Sequence, residues 1–295
     1  MSIEIIKTVF SELINCSNWS LQLLKISVAK NAETKYASRQ IQFESVSEMT
    51  TFISEISNRY CSGNNGVLNS YTDITNYDGT ASGTVIYRLT KNNALIASEY
   101  ISFLTAVANP DVEADPFAYT SAYLLKGILS IDEDQIPIKL ISMRRPITKL
   151  KQKFQLVQPS GKFSQITRPI LTLRTSVDVV IIGDVVYFLT LAGENLFNIT
   201  RAYKAVCHNT VTEVGETGII SDTDSFRTVA ESGHNPRKFI SFDNARIEAL
   251  KNVTTRKAMA ERFSIPLDSE NRFDTTVDGA AAKIVKLLCS KGMID

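Results

Sequence analysis

The sequence predicts an α+β fold, with a mixed, mostly antiparallel sheet in the N-terminal two thirds and a helix-rich C-terminal third. Three observations carry this. Alternating or β-branched apolar runs, separated by short polar turns, recur through the first two thirds. Helical spacing of apolar residues dominates the last third. The chain is 44% apolar and 21% charged, the composition of a globular protein rather than a disordered one. Its 295 residues suffice for one large domain or two ordinary ones. The seam is expected near 175, giving an α/β region over 1–174 and a second region over 175–295.

The elements follow in order. "WSLQLLKISVAK" and "SRQIQFES" are strands, the first rich in Leu and Ile, the second alternating. "SVSEMTTFISEISNRYCSG" is a helix. Ser45 and Glu48 form a capping box, Met49, Phe52, Ile53 and Ile56 share a face, and Gly63 follows the end. "GVLNSYTDI" and "SGTVIYRLT" are strands joined by a polar turn. "NNALIASEYISFLTAVANP" is a helix capped near Asn92 or Asn93 and stopped before Pro110. The acidic "DVEADPFAY" is a surface loop. "AYLLKGILSI" and "IPIKLISM" are strands around the turn "DEDQ".

"LKQKFQLV" alternates as a strand would, although Ile147, Leu150, Phe154 and Val157 also fit helical spacing. The turn signal "QPSGKF" favours a hairpin into "ITRPILTLR". "DVVIIGDVVYFL" is the clearest hairpin, with Gly183 at the first position of a type II′ turn. Helices are expected near 194–208, 223–232, 243–252, 254–264 and 277–290, with a short strand in "FSIPLDSENRFD". No internal repeat or low-complexity linker is visible.

Chemistry is sparse. Cys16, Cys61, Cys207 and Cys289 form no C-x-x-C pair, which argues against a zinc ribbon or a disulfide framework and fits a reducing compartment. His208 and His234 are the two histidines, without a partner motif. There is no Walker, dinucleotide-binding or nucleophile-elbow motif. A metal-dependent nuclease would have to draw on Asp111, Glu113 and Asp115, or on Asp132, Glu133 and Asp134. Both groups sit in turns. The one E-x-K, Glu33 to Lys35, is a pattern that arises often by chance. The expectation is a protein without catalytic residues, metal, cofactor or small-molecule substrate. "MSIEIIKTVF" does not resemble a signal peptide, and "VDVVIIGDVVYFLTLAG" is too broken by Asp178, Gly183 and Asp184 to span a bilayer. A cytoplasmic protein is expected.

Charge is where the sequence departs from the ordinary. The formal net charge is +1, yet from Gln135 to Val177 there is no Asp or Glu. Lys139, Arg144, Arg145, Lys149, Lys151, Lys153, Lys162, Arg168 and Arg174 all fall in that span. Lysines on an edge strand guard against aggregation. That accounts for the alternation of Lys149, Lys151 and Lys153 better than for the missing acids, since ordinary surfaces mix both signs. A one-signed strip keeps a positive field that a phosphate backbone rewards. With only Phe154 and Phe163 interleaved, contact with duplex backbone is favoured over single-strand stacking. The other readings are an assembly module, whose basic face meets an acidic protein or an anionic membrane surface, and the nuclease.

"SVDVVIIGDVVYFLTLAGENLFNI" resembles the hallmark region of the KwaB-like family, the cytoplasmic component of the bacterial Kiwa anti-phage defence system. Asp178, the Gly183-Asp184 turn, Tyr187-Phe188 and Glu194 to Phe197 carry the resemblance. The order of elements around this segment is similar too. The resemblance implies a non-enzymatic protein that binds double-stranded DNA, forms a homodimer and docks on KwaA, a small integral membrane protein, at the inner face of the cell membrane. Its motif is structural and assigns no DNA contacts; those rest on the charge pattern alone.

Overall fold

A computed structural model describes residues 3–28, 33–80, 82–111, 120–131, 134–143, 147–148, 156–157, 164–165 and 170–289. The chain forms two compact units, one of residues 1–76 and 82–198, the other of 77–81 and 199–295. The hairpin expected to open the second region lies in the first unit, because its strands are interior members of the sheet there.

The first unit is built on an eight-stranded sheet. In chain order its strands are β1 (Ser17–Val28), β2 (Thr34–Ile41), β3 (Asp73–Asn76), β4 (Val85–Thr90), β5 (Ala122–Ile131), β6 (Asp134–Ser142), β11 (Val179–Ile182) and β12 (Val185–Phe188). Their spatial order is β2-β1-β5-β6-β11-β12-β4-β3, antiparallel throughout except for β3 with β4. The mixed, mostly antiparallel α+β architecture is therefore the one the pattern predicts. The β3–β4 pair was expected as a simple turn-linked unit and is parallel instead. Parallel neighbours cannot be closed by a tight turn. Here the connection runs through 77–81, which belongs to the other unit. Most of "GVLNSYTDI" is also not strand: Val67–Ser70 is a 3₁₀ turn.

Both faces of the sheet are covered, which is why Val179, Val180 and Ile181 are buried without alternation. On one face, α1 (Glu4–Ser11) and α2 (Val46–Cys61) pack Phe10, Ile53, Ile56 and Tyr60 against Leu21, Leu125, Leu140, Val180 and Tyr187. Phe10 and Tyr60 stack at 4.2 Å. The Ser45–Glu48 capping box starts α2 as expected. On the other face, α3 (Ala97–Ala108) and the 3₁₀ turn Leu191–Leu196 bring Phe103, Phe188 and Phe197 together edge-on. The β11–β12 turn has a positive φ at Gly183 and not at Asp184, the φ signature of type II′.

The second unit packs α4 (Ile199–Glu216), α5 (Thr223–Ala230), α6 (Asn235–Lys238), α7 (Asn244–Lys251), α8 (Val253–Phe263) and α9 (Ala280–Cys289) around Val211, Phe226, Phe239, Leu250, Phe273, Ile284 and Leu288. The helix expected over 194–208 begins only at Ile199, since Glu194 and Leu196 are held in the 3₁₀ turn, and it runs on to Glu216. Asp222, Asp243 and Asn252 cap α5, α7 and α8 through their side chains. The strand expected in "FSIPLDSENRFD" is reduced to two isolated bridges, Ile220 to Phe273 and Leu267 to Phe273. Arg256, 6% exposed, donates to the carbonyls of Leu250, Lys251 and Asn271. Its charge is spent on backbone rather than on a ligand.

Candidate nucleic-acid interface

Most of the basic strip falls on an excursion between two neighbouring strands of the sheet. β6 and β11 are neighbours, with Ile141 opposite Val179, so the chain leaves after Ser142 and returns at Val179 to the same place. Asp178 ties the two ends. It is 3% exposed; its N–H donates to the Ile141 carbonyl at 2.8 Å, and its Oδ2 accepts from the Met143 N–H at 2.7 Å. Oδ1 accepts from the Thr190 hydroxyl at 2.5 Å, and the carbonyl accepts from the N–H groups of Leu189 and Thr190.

Three tyrosines complete the root. The Tyr60 hydroxyl donates to the Val177 carbonyl at 2.9 Å and accepts from the Val177 N–H at 2.7 Å, as a paired strand would. The Tyr123 hydroxyl donates to the Arg174 carbonyl, and that of Tyr71 to the Leu189 carbonyl at 2.6 Å. Burial pushes the Tyr60 hydroxyl up to about 12, and its bond to Val177 only partly offsets that rise.

Within the excursion, β7 (Ile147–Thr148) pairs antiparallel with β10 (Ile170–Leu171), and β8 (Leu156–Val157) with β9 (Ser164–Gln165). The second pair nests inside the first, as the turn signal "QPSGKF" anticipates.

Of the nine basic residues singled out from the sequence, Lys139 and Arg174 are described. Arg144, Arg145, Lys149, Lys151, Lys153, Lys162 and Arg168 lie outside the described residues, as do Glu113, Asp115, Asp132 and Glu133. Arg174 is exposed at the root of the excursion. Lys139 is half-buried on β6, opposite Lys126 on β5 and Ile181 on β11. Burial pushes its ammonium down, Lys126 adds to the push, and Asp184 opposes it. Asp184 is in turn paired with Lys91 at 2.8 Å.

Lys126 and Lys91 were not among the residues singled out. Lys91 carried no signal, since its Asp184 pairing joins segments far apart in sequence. Lys126 was recoverable in principle: folding the hairpin about Ile131 and Asp134 sets it opposite Lys139.

His208 Nδ1 lies within hydrogen-bond distance of the Glu231 carboxylate on a helix surface, 2.9 Å apart, and His234 precedes α6. The four cysteines are free. Burial pushes the thiols of Cys16 up to about 11 and of Cys207 and Cys289 up to about 12. Among the described residues, no three His, Cys, Asp or Glu side chains gather as a metal set would require, and no helix is long and apolar enough to cross a membrane.

Compared with known proteins, the chain matches a family model described as "Kiwa protein KwaB-like" over residues 133–291, more than half its length. The match takes in β6, the basic excursion, the β11–β12 hairpin and the helices that follow. No curated protein and no solved structure matches it.

Proposed function

The chain belongs to the KwaB-like family, and from that membership we propose that it is the DNA-binding component of a Kiwa anti-phage defence system, acting without catalysis of its own. The observation that supports this reading most is the acid-free span from Gln135 to Val177 with its nine basic residues. Its position as a clamped excursion agrees with the reading. Its two ends are held by hydrogen bonds, and Arg174 at that root is exposed.

In this reading the strip lies along a duplex backbone. Arg144 and Arg145 fork onto phosphates, and Lys149, Lys151 and Lys153 act as point charges. Binding is largely indifferent to sequence, because phosphate contacts carry no base information. The protein acts as a homodimer and reaches the inner face of the membrane through an integral membrane partner of the KwaA type.

The test is an electrophoretic shift with unrelated duplexes at several salt concentrations. For about five neutralised phosphates, log K falls against log salt with a slope of roughly −4 to −5. Reversing Lys149, Lys151 and Lys153 to Glu weakens binding to all duplexes alike. Unchanged affinity in that triple variant refutes the strip as the DNA contact. Co-purification with a membrane partner, without any shift at low salt, favours an assembly module instead. Time-dependent plasmid cleavage with Mg²⁺ or Mn²⁺ refutes the non-catalytic reading.

A further inference from the structure

Lys126 on β5 and Lys139 on β6 are directly opposite each other in an antiparallel pair. Their side chains therefore leave the same face of the sheet, with Cβ atoms about 5 Å apart. Both are half-buried. Among the described residues neither has a carboxylate within ion-pair distance, and the acid that acts on Lys139, Asp184, is engaged by Lys91. Two like charges facing each other in a sheet oppose folding. Burial and, after it, Lys126 push the Lys139 ammonium toward its neutral form, and Asp184 opposes them. A sheet that needed only solubility here would alternate sign or place the charges at its edge. These two strands are interior, the third and fourth of eight.

The same row continues to Ser20 on β1, opposite Lys126, and to Ile181 on β11, opposite Lys139. The Ser20 hydroxyl oxygen is buried and has no protein partner. The row thus sets two ammonium groups, without an ion-pair partner among the described residues, between an unpartnered hydroxyl and an apolar wall.

The geometry points to an anion site, with Lys126 and Lys139 as paired ammonium donors and a phosphate-class oxyanion as the ligand. A single carboxylate would neutralise one lysine and leave the other. A phosphate dianion, or two neighbouring phosphodiesters, satisfies both. Free phosphate monoesters and a nucleic-acid backbone share this chemistry, so the site does not depend on what the basic strip binds.

The probe is inorganic phosphate, titrated into the full chain at constant ionic strength made up with chloride, with Tm as the readout. Wild type shows a saturable rise, as linkage requires of a ligand that binds only the folded state. Lys126→Met abolishes the rise and Lys126→Arg keeps it. Lys257→Met, an exposed lysine of the second unit, also keeps it. The site is overturned if phosphate gives no saturable rise beyond chloride, or if Lys126→Met responds as wild type does.

Duplex binding by Lys126→Met then identifies the source. Affinity weakened about tenfold marks a backbone phosphate as the ligand. Unchanged DNA affinity with a lost phosphate response marks a free phosphate. Should wild type bind no DNA at all, the strip reading fails, while the phosphate titration still decides the lysine pair.

Discussion

The Asp178 carboxylate holds the Met143 N–H at 2.7 Å across the root of the basic excursion. Its other oxygen takes the Thr190 hydroxyl. Asp178→Ala leaves the part-buried Met143 N–H without a partner and is expected to cost about 1–3 kcal/mol. Asp178→Asn can still accept from Met143 while its amide donates to the Thr190 oxygen, so it should cost less than half as much. Urea denaturation of the three proteins measures both. Equal losses in Ala and Asn would mean that the negative charge, rather than the paired acceptor, is what the root needs.

Alkaline pH is expected to loosen the first unit. The buried Tyr60 hydroxyl titrates near 12 in the folded chain instead of its ordinary 10.0. Burial raises Tyr36 and Tyr123 further still. A raised folded value means the stability is fully present below 10 and is lost as pH rises through the folded value. Denaturation midpoints followed from pH 9 upward should fall with a slope that Tyr60→Phe reduces. At neutral pH, Tyr60→Phe still costs about 1–3 kcal/mol, since both backbone groups of Val177 lose their partner.

Gly79 is predicted to be intolerant of any side chain. Its φ is +79°, and a Cβ there would stand 2.3 Å from the Arg237 carbonyl oxygen, within the same unit. Gly79→Ala should lower stability by roughly 1–3 kcal/mol. Gly183→Ala is a matched control: its φ is +55° with nothing within 4 Å, so it bears the backbone strain alone and should lose less.

Lys126→Met should stabilise the apo protein by about 0.2–1 kcal/mol at neutral pH, because it removes a like-charge pair. Lys139→Met should do the same. Folded-state depression of the Lys139 ammonium makes its cost greatest at neutral and acid pH and relieves it as pH approaches the ordinary lysine value. The gain over wild type should therefore shrink in alkaline buffer. A loss of stability in either variant would mean that the lysine stems pack more than the charges repel.

Local signals were legible in the sequence and long-range ones were not. The Ser45–Glu48 box and the Gly183 turn are decided by residues within four positions of each other, and both stand as expected. The parallel β3–β4 pair depends on a connection that departs to another unit, which no local pattern encodes. Glu194 to Phe197 has helical composition, yet its residues form a 3₁₀ turn whose neighbour Phe197 lies edge-on against Phe188 and Phe103. Tertiary packing overrode propensity there. At the candidate site the sequence gives the charge and its one-sidedness, because those are composition. It did not yield Lys126 as the companion of Lys139, because that requires the hairpin register.

The root of the excursion has a consequence for how such a chain can change over time. Ile141 and Val179 face each other across one strand spacing, about 5 Å. The two ends of the chain threaded between them are latched at that spacing by Asp178 and Tyr60. A change of length between the latches that kept both of them would leave the β6–β11 ladder in register. Diversification against a changing adversary would be cheapest there.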